Sequence, residues 1–177
     1  MMKGRIRWAV DGLGLTGGER VLEVGPGHGV ALDYCAEELP DGLMVGLDRS
    51  AKMLAAAAKR NQSHIEAGRI ELIEGTPDTV VDELARLGPF DRILALRVRD
   101  FLDQPTRTLA PIVPLLAEDA EVHFVFDSPG GADLGEMAAR MEARFTEYGL
   151  RPGRIEAGSG DKFTAVRVTG LAPGTQK

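Results

Sequence analysis

This sequence has one cysteine, no long apolar run and fewer basic than acidic residues. The 177 residues include one cysteine, Cys35, which excludes an internal disulfide and offers no cysteine cluster for a metal. No apolar run approaches the roughly 20 residues that cross a bilayer. The charged start of the chain lacks the apolar stretch typical of a signal peptide. We therefore expect a cytoplasmic protein that binds neither a metal nor a membrane.

The charge balance also restricts the partners of the protein. Its net charge is −6, and acidic and basic residues are interspersed along the whole chain. Proteins that bind nucleic acids usually carry a basic stripe that contacts the phosphate backbone. The sequence therefore argues against a nucleic-acid partner and favours a small-molecule one.

The sequence does contain short runs of Val, Ile and Leu that alternate with longer helical patterns, which is typical of an α/β protein. Strands are predicted at 21–24, 43–47, 69–73, 91–96 and 122–126. Helices are predicted at 30–39, 51–61, 77–87, 106–116 and 134–148. Ser50 is placed to cap the second of these helices, and Pro111 and Pro114 should kink or split the fourth.

The end of the chain departs from this alternation. Segments 154–157 and 163–168 are joined by Gly158–Lys162 alone, whereas a parallel crossover needs about a dozen residues. This pair must therefore form an antiparallel hairpin. We predict one α/β domain over residues 1–170, with a mostly parallel, Rossmann-like sheet, helices on both of its faces, and a flexible tail at 171–177.

A glycine-rich loop follows the first strand directly. In open α/β sheets, ligands bind beyond the carboxyl ends of the strands. The glycines of Gly25-Pro26-Gly27-His28-Gly29 allow a sharp turn and a close approach of backbone N–H groups to a ligand. Asp48 stands at the end of the second strand, where its carboxylate can accept both hydroxyls of a ribose. This combination indicates an adenosine-containing cofactor.

The glycine spacing bears on which cofactor this is. A dinucleotide fingerprint has the pattern G-x-G-x-x-G, so that a third glycine is expected at position 30, which is Val30. The third glycine lies at position 29 instead, and no phosphate-binding G-x-x-x-x-G-K-[ST] motif occurs. The spacing favours a ligand without a pyrophosphate. A nicotinamide-dependent oxidoreductase is the less favoured alternative.

With these motifs the chain resembles the class I S-adenosylmethionine-dependent methyltransferases over residues 7–168. The first motif of that family corresponds to residues 21–29, the second to Val45–Ser50 with Met53-Leu54, and the fourth to Phe90–Ala95. Segments 7–11 and 67–69 are similar to a branch of small stand-alone bacterial members. The resemblance implies a seven-stranded sheet of order 3-2-1-4-5-7-6, with S-adenosylmethionine as the cofactor.

The resemblance also implies which residues hold the cofactor. Those at the methionine end are Glu23, the loop residues Gly25, Pro26, Gly27 and Gly29, and the backbone of Leu96 and Arg97. Asp48 binds the ribose, and Arg49 and Met53 pack against the adenine. Members of the family often bind the adenine amino group through an acid after the third strand, where this chain has Gly75-Thr76-Pro77-Asp78. Thr76 or Asp78 could substitute for that acid, or the segment could simply cap the next helix.

The sequence contains no obvious catalytic group. His28, Asp100 and Asp127 are candidate general bases, although His28 occupies a permissive loop position and Asp100 could belong to a solvated, ion-paired loop. Arg97 and Arg99 could hold an anionic acceptor. Trp8 could wall the acceptor pocket or pack in the core. His64 and His123 are weaker candidates, and no Asn-Pro-Pro-Tyr motif for amino methylation occurs.

Methyl transfer from a sulfonium is a direct displacement, for which the protein mainly aligns the reactants in a dry pocket. A base is needed only when the acceptor must lose a proton. We therefore predict a methyltransferase acting on oxygen, nitrogen or carbon of a small molecule, with a catalytically silent cofactor-binding module as the alternative. Since no long insertion interrupts the βα units, the acceptor site is expected to be shallow or to be completed by a second subunit of a homodimer.

Overall fold

The computed structural model describes residues 2–127, 133–160 and 163–174. Residues 128–131, which the sequence predicts to break the chain between strand 122–126 and helix 134–148, lie outside them, as do residues 161–162 of the predicted hairpin turn and residues 175–177 of the predicted tail. No helix in the described part of the chain is long and apolar enough to cross a membrane.

Seven strands form one sheet. They are β1 (Arg20–Val24), β2 (Leu43–Asp48), β3 (Ile70–Glu74), β4 (Phe90–Leu96), β5 (Leu116–Asp127), β6 (Arg151–Gly160) and β7 (Phe163–Leu171). Their order is β3-β2-β1-β4-β5-β7-β6, with β1 to β5 parallel and β7 antiparallel to both of its neighbours. The predicted order and the terminal hairpin are confirmed.

The connections are mostly helical. The helices are α1 (Met2–Asp11), α2 (Val30–Glu38), α3 (Ala51–Arg60), α4 (Gln62–Glu66), α5 (Val81–Leu87), α6 (Asp100–Asp103), α7 (Pro105–Ile112) and α8 (Leu134–Glu147). As predicted, Ser50 caps α3, its hydroxyl accepting from the Met53 N–H. The predicted helix 106–116 is split at Pro114, since the α-helix ends at Ile112 and a 3₁₀ turn, Val113–Leu115, follows.

Two apolar clusters cover the two faces of the sheet, which confirms the helical layers. On one face, β-strand residues pack against α1, α2 and α3 through side chains such as Ile6, Leu32 and Ala57. On the other, they pack against α5 to α8 through side chains such as Leu84, Phe101 and Phe145. Because β1 and β4 lie in the middle of this sandwich, the loops at their carboxyl ends start from rigid, buried strands.

Candidate cofactor site

The glycine loop turns through three left-handed residues. Gly25, Gly27 and Gly29 have φ angles of 76°, 54° and 72°, a region that residues with a Cβ rarely adopt. A Cβ on Gly25 would also lie 2.8 Å from the Val98 side chain. Gly29 serves as the N-cap of α2, and its N–H donates to the Pro26 carbonyl at 2.9 Å. The glycines are therefore required by the path of the backbone.

Asp48 joins this loop to the end of β2. One carboxylate oxygen accepts from the Gly27 N–H at 3.3 Å, and the other accepts from the Ser50 N–H at 2.9 Å. A carboxylate has about four acceptor positions, so the half-buried Asp48 can also accept from ligand hydroxyls. Asp48, the residue predicted to bind the ribose, thus lies directly against the glycine loop.

Two cavities open along the carboxyl edge of the sheet. The larger, of about 350 Å³, lies between the ends of β2, β3 and β4, and Asp48, Arg49, Gly75 and Thr76 are among its lining residues. The smaller, of about 160 Å³, lies between the glycine loop, α1 and the end of β4. Gly25 and Arg97 line both cavities, so one elongated ligand could extend through the two.

Glu23 lines the smaller cavity and is 2% exposed. Among the residues that the structure describes, its Oε2 atom has no hydrogen-bond partner. Burial, reinforced by the negative charge of Asp48, raises the pKa of the Glu23 carboxyl to about 8. A buried carboxyl with an unused oxygen beside a cavity is placed to receive a cationic group.

The segment after β3 forms a turn, whereas one of the two predicted alternatives was that it starts and caps the next helix. Helix α5 begins at Val81 and has no side-chain cap, so the capping role considered for Thr76, Pro77 and Asp78 is wrong. The Thr76 hydroxyl donates to Asp78 at 2.5 Å, and Thr79 closes the turn by accepting from the Thr76 N–H at 2.9 Å. These side-chain hydrogen bonds hold residues 76–79 in a turn, so that the helix begins only at Val81.

Within this turn, Thr76 and Pro77 line the larger cavity. Asp78 is instead held by Thr76 and by Arg107 of α7, whose Nε donates to it at 2.9 Å. These two hydrogen bonds hold the pKa of the exposed Asp78 carboxyl below its usual value. Since both carboxylate oxygens are engaged, Thr76 is the better placed of the two to meet a ligand.

The end of β4 carries a strained residue. Arg97 has a φ of 64°, and its N–H donates to the Val125 carbonyl at 2.8 Å. A residue with a side chain costs about 1–3 kcal/mol in such a conformation, and here it turns the chain into the wall between the two cavities. Its guanidinium lies 2.9 Å from Asp127, which is also ion-paired with the buried Arg5 of α1.

The three candidate bases lie in different surroundings. His28 is exposed and lines the smaller cavity. Asp100, the first residue of α6, lines the larger cavity 3.7 Å from the guanidinium of Arg49. Asp127 is buried between Arg5 and Arg97. With a guanidinium against each of its oxygens, Asp127 is arranged to orient these arginines rather than to receive a proton.

Other predicted residues lie away from the cavities. As far as the described residues go, Met53 lines neither of the two, in contrast to the adenine contact expected for it. Trp8 packs between Phe163 and Arg167, whose guanidinium lies 4.7 Å from its ring centre. His64 faces Asp33 at 3.3 Å, and His123 is fully buried beside Glu121 at 3.2 Å.

Two residues of the site were missed by the sequence analysis. Asn61 is fully buried, and its Nδ2 donates to the carbonyls of Gly29 at 3.0 Å and Ala57 at 2.9 Å, which ties the glycine loop to α3. Asn61 lies one turn after the buried positions 54 and 57 of α3, on the same face. A polar residue on the apolar face of a helix indicates a buried hydrogen bond, so the sequence did contain a signal for Asn61. Arg5 offers no comparable signal, because a basic residue in a first helix is ordinary.

These features fit S-adenosylmethionine in charge and hydrogen bonding. The unpaired oxygen of Glu23 suits an ammonium, the Asp48 carboxylate suits ribose hydroxyls, and the turn at Thr76 lies beside the larger cavity. Across the described ranges, no group of three His, Cys, Asp or Glu residues could hold a metal ion. Fold and site together define the class I methyltransferase architecture, whose cofactor is S-adenosylmethionine.

Comparison with known proteins specifies the family. A family model described as "Methyltransferase domain" matches residues 22–122, and the chain belongs to this family. It is 30% identical to a malonyl-[acyl-carrier protein] O-methyltransferase of Halalkalibacterium halodurans over 92 residues, which cover 52% of this chain and 33% of that protein. The chain spans between 28% and 38% of the length of the curated relatives that it matches.

Solved structures agree in fold. The O-methyltransferase TomG from Streptomyces achromogenes, in complex with S-adenosylmethionine, has a TM-score of 0.70 at 20% identity and covers 97% of this chain and 80% of its own. A 16S rRNA (adenine)-methyltransferase from Catenulisporales acidiphilia has a TM-score of 0.73 at 15% identity, with 98% and 93% covered. At these identities the likeness concerns the fold alone.

Proposed function

We propose that this chain transfers a methyl group from S-adenosylmethionine to oxygen, nitrogen or carbon of a small-molecule acceptor. The observation that carries the proposal is the Glu23 carboxyl, buried with an unused oxygen on a cavity that adjoins the one holding Asp48. An amino-acid group at one end of a ligand and a nucleoside at the other would satisfy both acids.

Each part of the cofactor would have its own set of residues. Glu23, the glycine-loop backbone and the turn Leu96-Arg97 would hold the methionine end, and Asp48 would hold the ribose. Arg49, Gly75, Thr76 and Pro77 would surround the adenine. When bound, S-adenosylmethionine supplies a methyl group on a sulfonium, so that the leaving group comes with the reagent. The chain's residues have to orient the acceptor and exclude water.

A small-molecule acceptor is favoured by the composition of the chain. The relatives and structural neighbours include methyltransferases named for an acyl-carrier protein and for ribosomal RNA. The net charge of −6 favours a small molecule over RNA. His28 and Asp100 stand on the two cavities, where either could take a proton from an acceptor that must lose one. A cytoplasmic location and a homodimer that completes the acceptor site are further parts of the proposal.

A calorimetric titration of the protein with S-adenosylhomocysteine and, separately, with NADH tests the cofactor class. We expect saturable binding of the former and none of the latter. Failure to bind S-adenosylhomocysteine at high micromolar concentration would refute the proposal, whereas NADH binding would favour the oxidoreductase alternative.

An acceptor screen with a labelled methyl donor then tests transfer. Label should move to one chemical class of acceptor, and at a limiting concentration of the donor Asp48→Asn, as the impaired control, should transfer it more slowly. Binding without transfer to any acceptor would favour a silent cofactor-binding module.

A further inference from the structure

We propose that the methyl acceptor is an ionised carboxylic acid, which the guanidinium of Arg97 binds at the junction of the two cavities and which is converted into its methyl ester. The inference rests on the proposed function, and it narrows the three acceptor atoms considered there to a carboxylate oxygen. It assigns the side chain of Arg97 to the acceptor, whereas the resemblance to the family implies only a backbone contact of this residue with the cofactor.

Arg97 lies where the two parts of the cofactor would meet. Among the described residues, it and Gly25 line both cavities. The proposed function places the methionine end of the cofactor in the smaller cavity and the ribose in the larger one. The sulfonium joins these two parts and therefore belongs at the wall that the cavities share. Of the two residues in this wall, Arg97 is the one with a side chain that can contact an acceptor.

The backbone of Arg97 is strained. Its φ of 64° is unfavourable for a residue with a Cβ, whereas glycine would adopt it freely. The Arg97 N–H donates to the Val125 carbonyl at 2.8 Å, which ties the strained turn to the neighbouring strand β5. Strained residues of this kind cluster at functional sites. An arginine at a position that suits glycine therefore indicates a role for the guanidinium.

The guanidinium of Arg97 is oriented but retains free donors. Its Nε lies 2.9 Å from Asp127, and the side chain is 49% exposed. The buried Arg5 is ion-paired with the same carboxylate, so that two positive charges face one negative charge. Within the described part of the chain, no second acidic side chain forms an ion pair with Arg97. Its terminal nitrogens are thus left for a ligand, and a guanidinium matches the geometry of a carboxylate.

The other arginines of the larger cavity are less suited to this role. Arg107 lies 2.9 Å from Asp78, and Arg49 lies 3.7 Å from Asp100, so each of them has a carboxylate of its own. The side chain of Arg99 is 71% exposed to solvent. As far as the structure describes the chain, none of these three arginines lines the smaller cavity. Arg97 is therefore the arginine of this cavity that an acceptor at the junction would contact.

A carboxylate acceptor also agrees with the positions of the candidate bases. His28 lines the smaller cavity and Asp100 the larger, while Asp127 is engaged by two arginines. A carboxylic acid with an ordinary pKa of about 4 has no proton to lose at neutral pH. A lone pair of one carboxylate oxygen would form the bond to the methyl carbon, while the carbon–sulfur bond breaks and its electron pair stays on sulfur. The products are the methyl ester and S-adenosylhomocysteine, and no base is needed.

Calorimetric titration tests the carboxylate site without turnover. Protein saturated with S-adenosylhomocysteine is titrated with acetate, succinate and benzoate, and with the amide of each acid at the same ionic strength. We expect at least one acid to bind about tenfold or more tightly than its amide, as for a charge-assisted hydrogen bond.

Two substitutions assign this preference to a residue. Arg97→Gly removes the guanidinium at a φ that glycine adopts without strain, so this variant should fold, and it should lose the preference for the acid. Arg7→Gln is the matched control, because Arg7 of α1 is also ion-paired, with Asp11 and Glu38. It should keep the preference of the wild type.

The acceptor screen with a labelled methyl donor identifies the acceptor atom. Mild base should release the transferred label as methanol, because a methyl ester is hydrolysed under conditions in which methyl ethers and methyl groups on nitrogen or carbon are stable. Arg97→Gly should transfer this base-labile label at least about tenfold more slowly at a limiting concentration of the acceptor.

The outcomes separate this inference from the proposed function. Base-stable label would overturn the carboxylate acceptor while leaving methyl transfer, and with it the proposed function, intact. No acid binding, equal binding of acids and amides, or a preference retained in Arg97→Gly would overturn the role of Arg97. If the wild type binds no S-adenosylhomocysteine, both proposals fall. If Arg97→Gly does not fold, the preference for acids and the base-labile label of the wild type decide the matter.

Discussion

The buried carboxyl of Glu23 should make cofactor affinity depend on pH. With a pKa of about 8 in the unliganded protein, raised by burial and then by Asp48, Glu23 is protonated at pH 6 in all but about 1% of molecules. A bound ammonium group stabilises the carboxylate, so that binding must be accompanied by release of this proton. The affinity for S-adenosylhomocysteine should therefore rise as the pH is increased.

The size of the effect follows from proton linkage. When one proton is released on binding, affinity changes about tenfold per pH unit, which is about 1.4 kcal/mol. We expect the Kd of S-adenosylhomocysteine to fall by about tenfold from pH 6 to pH 7. Near pH 8 the gain should level off, because about half of the unliganded molecules then already carry an ionised Glu23 and less than one proton is released on binding.

The assay is calorimetric titration between pH 6 and pH 9, repeated in buffers of different ionisation enthalpy to count the protons released. Glu23→Gln should remove the pH dependence below pH 7 and weaken binding at pH 8. Glu37→Gln, at an exposed position of α2, should leave both unchanged. A flat Kd in the wild type between pH 6 and 8, or the same slope in Glu23→Gln, would refute the reasoning.

The same pKa predicts the stability of the unliganded protein. The folded-state pKa of about 8 lies above the ordinary value of 4.5, so the contribution of Glu23 is fully present below pH 4.5 and is lost as the pH rises toward 8. Between these limits the free energy of unfolding falls by about 1.4 kcal/mol per pH unit. At this chain length each kcal/mol corresponds to about 2–4 °C of Tm. Thermal melts should show a shallower decline for Glu23→Gln, and parallel declines would contradict the assignment.

Three further substitutions test other parts of the site. Asp48→Asn should weaken S-adenosylhomocysteine and 5′-methylthioadenosine alike, by about tenfold or more, and a loss confined to one of them would argue against ribose binding. Asn61→Ala removes two buried hydrogen bonds and should lower the free energy of unfolding by about 1–3 kcal/mol in denaturant titrations; an unchanged midpoint would show that the loop is held otherwise. Gly25→Ala places a Cβ against Val98 at positive φ, and it should therefore abolish ligand binding and lower the Tm. Wild-type affinity of this variant would contradict the requirement for a glycine where the loop backbone approaches the ligand.

The linear pattern of residues predicted the strands, the main helices and the terminal hairpin, and the family resemblance added the strand order. Apolar runs separated by helical patterns identified the five parallel strands, and the short connection before Phe163 required an antiparallel pair. The glycine loop and Asp48 were predictable for the same reason, since both are set by local backbone geometry at the ends of neighbouring strands. Helix α5 was placed four residues too early, because the Thr76–Thr79 hydrogen bonds that delay it were not evident from residue preference alone.

The relations among distant residues were decided only by the tertiary structure. Nothing local to Arg5 indicates that α1 places it beside Glu23, or that Asp127 is shared by two guanidiniums, since these contacts depend on how α1 docks on the sheet. The burial that raises the pKa of Glu23 is likewise a property of the packed sandwich rather than of the loop sequence. The sequence by itself predicted the position of the cofactor site, and tertiary packing decided which charged groups line it, because desolvation and ion pairing arise only between surfaces that folding brings together.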